Sequence, residues 1–180
     1  MSQETTRSGR PVDLAVIDLL VLDVDGVLTD GGLIFHADGS ESKRFHTLDG
    51  HGIRLWERAG GKVALLSGRA SAAVNRRAEE LEIAYVLQDC HVKLTALEEL
   101  LGRIDLKAEN VAYVGDDLTD LPPMQRVGFS AAVANAVEEV RACADYVTAR
   151  RGGDGAVREV IEYILKNSGR WDGLMSRYLA

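Results

Sequence analysis

The sequence predicts an α/β protein: a doubly wound parallel sheet with a small β-hairpin inserted after the first strand. Three observations carry this. Short continuous aliphatic runs recur along the chain, as strands buried on both faces require. Segments with apolar residues at helical spacing separate them. The two patterns alternate in regular order, which implies crossover connections and parallel pairing. The 180 residues are one domain's worth of chain, and 46% hydrophobic residues suffice for a sizeable core.

Residues 1–10 are polar and read as a flexible tail. Leu19-Leu20-Val21-Leu22 is the first buried strand. Between Gly31 and Phe45 the alternation breaks. Leu33-Ile34-Phe35 and Ser42-Lys43-Arg44-Phe45 flank His36-Ala37-Asp38-Gly39, which reads as a hairpin over residues 31–45 with an Asp-Gly turn. An isolated hairpin is not stable in water, so this one must pack on its own subunit or on a neighbour. Residues 62–66 form the next strand. Ser71 then caps a helix in which Val74, Ala78 and Leu81 share a face. Residues 84–87 are a strand, and Leu94, Leu97, Leu100 and Leu101 mark a helix ended by Gly102. Residues 111–114 are a strand, and 131–133 and 146–148 are weaker ones. Val157, Val160, Ile161 and Ile164 mark the last helix. Trp56 reads as a core or interface anchor. Trp171 and Tyr178 lie in a polar tail, residues 167–180, that reads as docking on a neighbour.

Lys plus Arg is 21 against 28 Asp plus Glu, a net charge of -7. That balance argues against a nucleic-acid binder. It leaves open a phosphorylated small substrate, because a bound cation reverses the local field. No apolar run is long enough for a membrane span, and residues 1–10 lack the apolar core of a signal peptide. With only Cys90 and Cys143, the expectation is two buried thiols in a soluble cytoplasmic protein. The four histidines lack zinc-ligand spacing.

In an open parallel sheet, ligands bind beyond the carboxyl ends of the strands. Three strands run into polar residues there: Asp23-Val24-Asp25-Gly26, Ser67-Gly68-Arg69, and Gly115-Asp116-Asp117 followed by Asp120. Lys93 opens the helix after the 84–87 run. Any one Asp after a strand is ordinary turn chemistry. The two pairs together gather like charges in one cleft, which is costly unless a cation sits among them. All-oxygen ligands suit Mg²⁺. The Ser67 hydroxyl with free N–H groups at Gly68 makes an anion site, and Lys93 offers a point charge for phosphate. Taken singly, Ser67 reads as a turn residue and Lys93 as a solvated one. Together these are the parts of a phosphoryl-transfer site. One carboxylate attacks in line, and a second, two residues on, protonates the leaving oxygen and later activates water. Asp23, at the rigid strand end, fits the nucleophile. Asp25 fits the acid/base.

Residues 23–31 (DVDGVLTDG), 66–69 (LSGR), Lys93 and residues 115–122 (GDDLTDLP) resemble the four motifs of the haloacid dehalogenase superfamily of phosphatases, in order and spacing. The hairpin and residues 45–53 (FHTLDGHGI), 110–117 (NVAYVGDD) and 152–160 (GGDGAVREV) further resemble the branch that hydrolyses 3-deoxy-D-manno-octulosonate 8-phosphate in lipopolysaccharide synthesis. The resemblance implies a Rossmann-like fold without a large cap domain and an aspartyl-phosphate on Asp23. It implies Mg²⁺ held by the carboxylates of Asp23 and Asp116 and the backbone carbonyl of Asp25. Asp117 and Asp120 lie nearby, ordering water or Lys93, while Ser67, Gly68 and Lys93 hold the phosphoryl group. The branch is tetrameric: hairpins combine into a central barrel, and neighbouring subunits close each active site. For the sugar acid, the resemblance implies contacts from Asp25, Arg54, Arg69 and Arg77 and from a loop, His46, Thr47, Leu48, Asp49 and Gly50, lying over the substrate. His51 is a further candidate, and Gly152, Gly153 and Gly155 imply a mobile segment that closes over the site.

Two departures keep a second substrate open. Leu48 stands where the octulosonate enzymes carry Arg, and Arg150-Arg151-Gly152-Gly153 is closer to the nononate 9-phosphate phosphatases. Those enzymes carry Glu where this chain has Arg69, which favours octulosonate. Two readings come from other classes. A non-catalytic tetramerisation module has no need of both Asp23 and Asp25. A receiver domain needs neither the Asp-x-Asp start nor the hairpin.

Overall fold

The computed structural model describes residues 12–179, so the flexible tail expected over residues 1–10 lies outside the described residues. Leu19–Leu22 (β1) is buried along its whole length. It stands at the centre of a six-stranded sheet with Lys62–Leu66 (β4), Tyr85–Leu87 (β5), Val111–Gly115 (β6), Phe129–Ala132 (β7) and Tyr146–Val147 (β8). The order is β5-β4-β1-β6-β7-β8, and every pair is parallel. Leu, Val and Ala fill these strands because both faces are covered. The chain leaves β1 towards β4 and β5, then returns to its other side at β6. The carboxyl ends of β1 and β6 therefore flank the switch point, where a crevice opens.

The crossover helices are Thr47–Arg58 (α1), Ala72–Glu80 (α2), Lys93–Ile104 (α3), Leu121–Arg126 (α4) and Glu138–Cys143 (α5), and Ala156–Asn167 (α6) follows the last strand. α1 packs on α6, and α3 on α4. Adjacent prolines open α4, where their missing N–H groups cost nothing. Trp56 is fully buried and donates its indole N–H to the Lys62 carbonyl at 2.8 Å.

Several boundaries differ from expectation. α1 was not foreseen, because Gly50 and Gly52 weaken its helical signal. It forms because His46 caps it and Ile53, Leu55 and Trp56 are buried. α3 runs through Gly102 to Ile104 and ends at Asp105, whose φ is 51°. The Leu106 N–H bonds back to the Leu101 carbonyl at 3.1 Å, so a left-handed Asp does what a glycine was expected to do. Ser71 precedes α2, but its hydroxyl makes no capping bond. β7 starts two residues earlier than its apolar run implied, at Phe129.

The hairpin is shorter than expected, with Ile34–Phe35 (β2) paired antiparallel to Glu41–Ser42 (β3). Its turn is closed by the His36 N–H on the Ser40 carbonyl at 2.9 Å, with Gly39 at φ 87°. The C-terminal segment holds a last helix, Trp171–Met175 (α7), and packs on this chain itself. The Tyr178 hydroxyl accepts from Arg58 at 2.8 Å and lies 3.2 Å from His51 Nε2. Lys166 sits 4.7 Å over the Trp171 ring. Both cysteines are free but only half-buried. Among the described residues, no helix is long and apolar enough to cross a membrane.

Candidate active site

Register brings the carboxylates together. Leu22 of β1 pairs with Val114 of β6, and the Asp23 N–H donates to the Val114 carbonyl at 3.1 Å. Asp23 and Asp116 therefore leave adjacent strands side by side. One oxygen from each of Asp23, Asp116 and Asp120 lies within 4.8 Å of the others. Gly26 lets them meet: its φ is 98°, and a Cβ there would fall 2.0 Å from Asp116 Oδ2.

Asp120 is fully buried, and all its hydrogen bonds are internal. Its Oδ1 accepts from Lys93 Nζ at 2.6 Å and from the Tyr113 hydroxyl at 2.7 Å. Its Oδ2 accepts the N–H groups of Asp116 at 3.0 Å and Asp117 at 3.2 Å. With both oxygens so engaged, Asp120 is a brace for Lys93 and the 115–120 turn rather than a free ligand. Lys93 Nζ also reaches Asp23 Oδ1 at 2.9 Å. Asp117 is exposed and caps the next turn through the Leu118 N–H at 2.8 Å.

Burial pushes the Asp23 carboxyl up to about 6, with the Asp120 charge adding to it and Lys93 opposing it. Burial, then Asp23 and Asp120, push Asp116 up to about 8. Lys93 stays above its ordinary value: burial works against its charge, but Asp23 and Asp120 outweigh that. The cluster is short of positive charge, and Asp116 Oδ1 is buried with no hydrogen-bond partner. An oxygen-only donor set with an orphaned carboxylate oxygen fits Mg²⁺.

Ser67 is buried at the end of β4, and its hydroxyl accepts the Arg69 N–H at 3.2 Å. Gly68 sits between them, with only the Cys90 carbonyl near its Cβ position, at 3.8 Å. The glycines at 152 and 153 are packed, not loose. A Cβ on Gly152 would lie 1.6 Å from the Gly26 carbonyl oxygen, and the Gly153 N–H donates to the Val27 carbonyl at 2.9 Å. The segment expected to close over the site packs instead as a wall behind the β1 turn.

Asp25 meets residues that the sequence reading did not single out. Lys43 Nζ donates to Asp25 Oδ1 and lies 3.7 Å from Glu41 Oε1. Glu41 Oε2 accepts from Arg69 at 2.9 Å, and Arg69 Nε stands 3.6 Å from Asp25 Oδ2. The available signal was the period of two: Glu41 and Lys43 share one face of the hairpin. Tyr113 was hidden in an apolar strand, where only its hydroxyl hinted at a polar partner.

The residues expected over the substrate divide. The loop His46 to Gly50 is the cap and first turn of α1: His46 Nδ1 accepts the Leu48 N–H at 3.2 Å. Arg77 joins it, donating to the His46 carbonyl at 3.2 Å, and a Cβ on Gly50 would meet its guanidinium at 2.3 Å. Thr47 and Leu48 are exposed. Asp49 is diverted: its oxygens accept the Gly155 N–H at 3.3 Å and the Arg158 N–H at 2.8 Å, capping α6. Burial holds its carboxyl above the usual range. Arg54 is diverted too, tied to Glu57, the Leu81 carbonyl and Glu82 at 2.9–3.2 Å. His51 bonds Tyr178 and Arg158.

Residues 86–161 match the haloacid dehalogenase-like hydrolase family. The 3-deoxy-D-manno-octulosonate 8-phosphate phosphatase of Escherichia coli is 46% identical over 156 residues, 87% of this chain and 83% of that protein. The crystal structure of the enzyme of that name from Moraxella catarrhalis, in complex with magnesium, phosphate and KDO, superposes with a TM-score of 0.89 at 41% identity, covering 92% of this chain and 95% of that one. The cobalt-bound form of the Haemophilus influenzae phosphatase gives a TM-score of 0.84 at 42% identity, covering 87% and 91%.

Proposed function

The chain belongs to the haloacid dehalogenase-like hydrolases, in the family of the 3-deoxy-D-manno-octulosonate 8-phosphate phosphatases, and from that premise we propose that it hydrolyses this ester to the free sugar acid and phosphate. The observation that carries the reading is the pairing of Asp23 and Asp116 at the switch point, with Asp116 Oδ1 unpartnered and Lys93 against Asp23. Asp23 attacks phosphorus and the ester P–O bond breaks, with Asp25 giving its proton to the leaving oxygen. Water then attacks the aspartyl-phosphate, Asp25 takes a proton from it, and phosphate leaves. Lys93, braced by Asp120, offsets phosphoryl charge, and Ser67 and the Gly68 N–H bind phosphoryl oxygens. Bound Mg²⁺ supplies Lewis-acid charge for the phosphoryl oxygens, and the Asp23 and Asp116 carboxylates with the Asp25 carbonyl are the groups assigned to hold it. Arg69 and Arg77 are assigned to the sugar acid.

Leu48 and the Arg150-Arg151-Gly152-Gly153 run favour the nononate 9-phosphate as the second reading. Phosphate release is measured from both esters with Mg²⁺. Preference for the octulosonate ester is the expected result, and cleavage of the nononate ester alone overturns the substrate. Asp23→Asn lowers turnover by at least about 10³-fold if Asp23 is the nucleophile.

The assembly assigned is a homotetramer in the cytoplasm, neighbours closing each site. Leu33, Ile34 and Phe35 are 47%, 50% and 66% exposed on the hairpin, an apolar edge of the kind an interface covers. Phe35→Asp reduces the mass seen by light scattering if the hairpins join the subunits. An unchanged mass removes them from the interface.

A further inference from the structure

The hairpin reverses the ordinary distribution of its side chains. Leu33, Ile34 and Phe35 are exposed, while the Lys43 side chain is 2% exposed. Its neighbour Arg44 is 70% exposed and pairs with Asp30 at the surface. A lysine next to a surface position can point outward at negligible cost. Burying its charge costs several kcal/mol unless a partner compensates. The partner here is Asp25, with Glu41 beside it.

We propose that Lys43, carried on the hairpin, is a positioning residue for the phosphatase reaction, holding Asp25 Oδ1 so that Oδ2 is turned to the proton-transfer position. The proposal rests on the reading of Asp25 as acid and base. The two oxygens of that carboxylate are in different states. Oδ1 is held by Lys43. Oδ2 is buried without a hydrogen-bond partner, its nearest cation being Arg69 Nε at 3.6 Å. A general acid must come within about 2.6–3.2 Å of the leaving oxygen, and a carboxyl free to rotate spends little time there. Fixing one oxygen and leaving the other bare meets that need. Oδ2–H gives its proton to the ester oxygen as the P–O bond breaks, and Oδ2 takes one from water in the second step. Glu41 and Arg69 close the ring, so the side chains of Asp25, Lys43, Glu41 and Arg69 hold one another in place. The ring ties the hairpin directly to the chemistry.

The test uses the full chain with Mg²⁺ and two substrates, octulosonate 8-phosphate and phenyl phosphate. Lys43→Met lowers kcat by about 10- to 100-fold on both esters, the scale of losing an orienting partner. KM moves less than about threefold, because the loss falls on the transition state. Lys43→Arg returns kcat to within about fivefold of wild type. In an Asp25→Asn background, Lys43→Met slows the enzyme no further, since the group it positions is gone. Wild-type kcat in Lys43→Met overturns the proposal, as does a loss that adds fully to that of Asp25→Asn. If Lys43→Met does not fold, Lys43→Gln is judged by the same criteria. A wild type that cleaves phenyl phosphate but not the sugar ester sinks only the substrate assignment, and the phenyl phosphate rates then decide Lys43.

Discussion

The strand-end carboxylates and the hairpin serve one cleft by opposite means. Asp23 and Asp116 stand on neighbouring central strands, where ladder hydrogen bonds and a fully buried core fix their backbones. The hairpin has two-residue strands and an exposed apolar edge, and it places Lys43 and Glu41 through side-chain ion pairs. The first arrangement concentrates negative charge and needs a cation to relieve it. The second is neutral in itself and orders a single carboxylate. In the proposed mechanism the sheet therefore fixes the carboxylate that attacks phosphorus, and the hairpin fixes the one that transfers the proton.

Substitutions on the strand-end side carry the largest effects. Asp120→Asn puts an amide where the Asp116 and Asp117 N–H groups now donate, and weakens the hold on Lys93. It costs about 3 kcal/mol in denaturant unfolding and at least about 100-fold in kcat. Gly26→Ala comes next. Its Cβ strikes Asp116 in a backbone conformation that alanine rarely adopts. Stability falls by about 1–3 kcal/mol and activity by about 10- to 100-fold, with magnesium affinity reduced.

Metal removal sharpens the comparison through pH. Folded Asp23 and Asp116 titrate near 6 and 8, above their ordinary value. A carboxyl raised in the folded state contributes stability below its unfolded pKa and loses it as pH rises through the folded one. Chelated protein thus becomes less stable from about pH 4 to about pH 8. Magnesium stands in for those protons, so the melting-temperature gain it brings is larger near pH 8 than near pH 5.5. A gain that shrinks with rising pH breaks the account of the carboxylate cluster.

The smallest effects lie outside both systems. Arg54→Ala leaves KM within about twofold, because its partners are Glu57, Glu82 and the Leu81 carbonyl. Arg44→Ala changes stability by less than about 0.5 kcal/mol, since its bond to Asp30 is an exposed pair. A large loss on Arg44→Ala equates the two faces of the hairpin and removes the contrast with Lys43.

Much of this was legible from residue order alone. Continuous aliphatic runs announce buried parallel strands, and a carboxylate directly after such a run lies at its carboxyl end whatever else packs around it. Asp23, Asp25 and Asp116, and Ser67 after β4, were placed at strand ends this way, because the signal lies within a few residues of each. Tertiary packing decided the rest. Asp49 sits in a motif expected over the substrate yet caps α6, and Arg54 on the same helix faces away to Glu82. Lys43 reads as a surface lysine until the hairpin is folded onto Asp25. A strand's direction and end are written in local periodicity, whereas the partner of a long polar side chain depends on which distant element is brought within 3 Å of it, and burial then makes that choice compulsory.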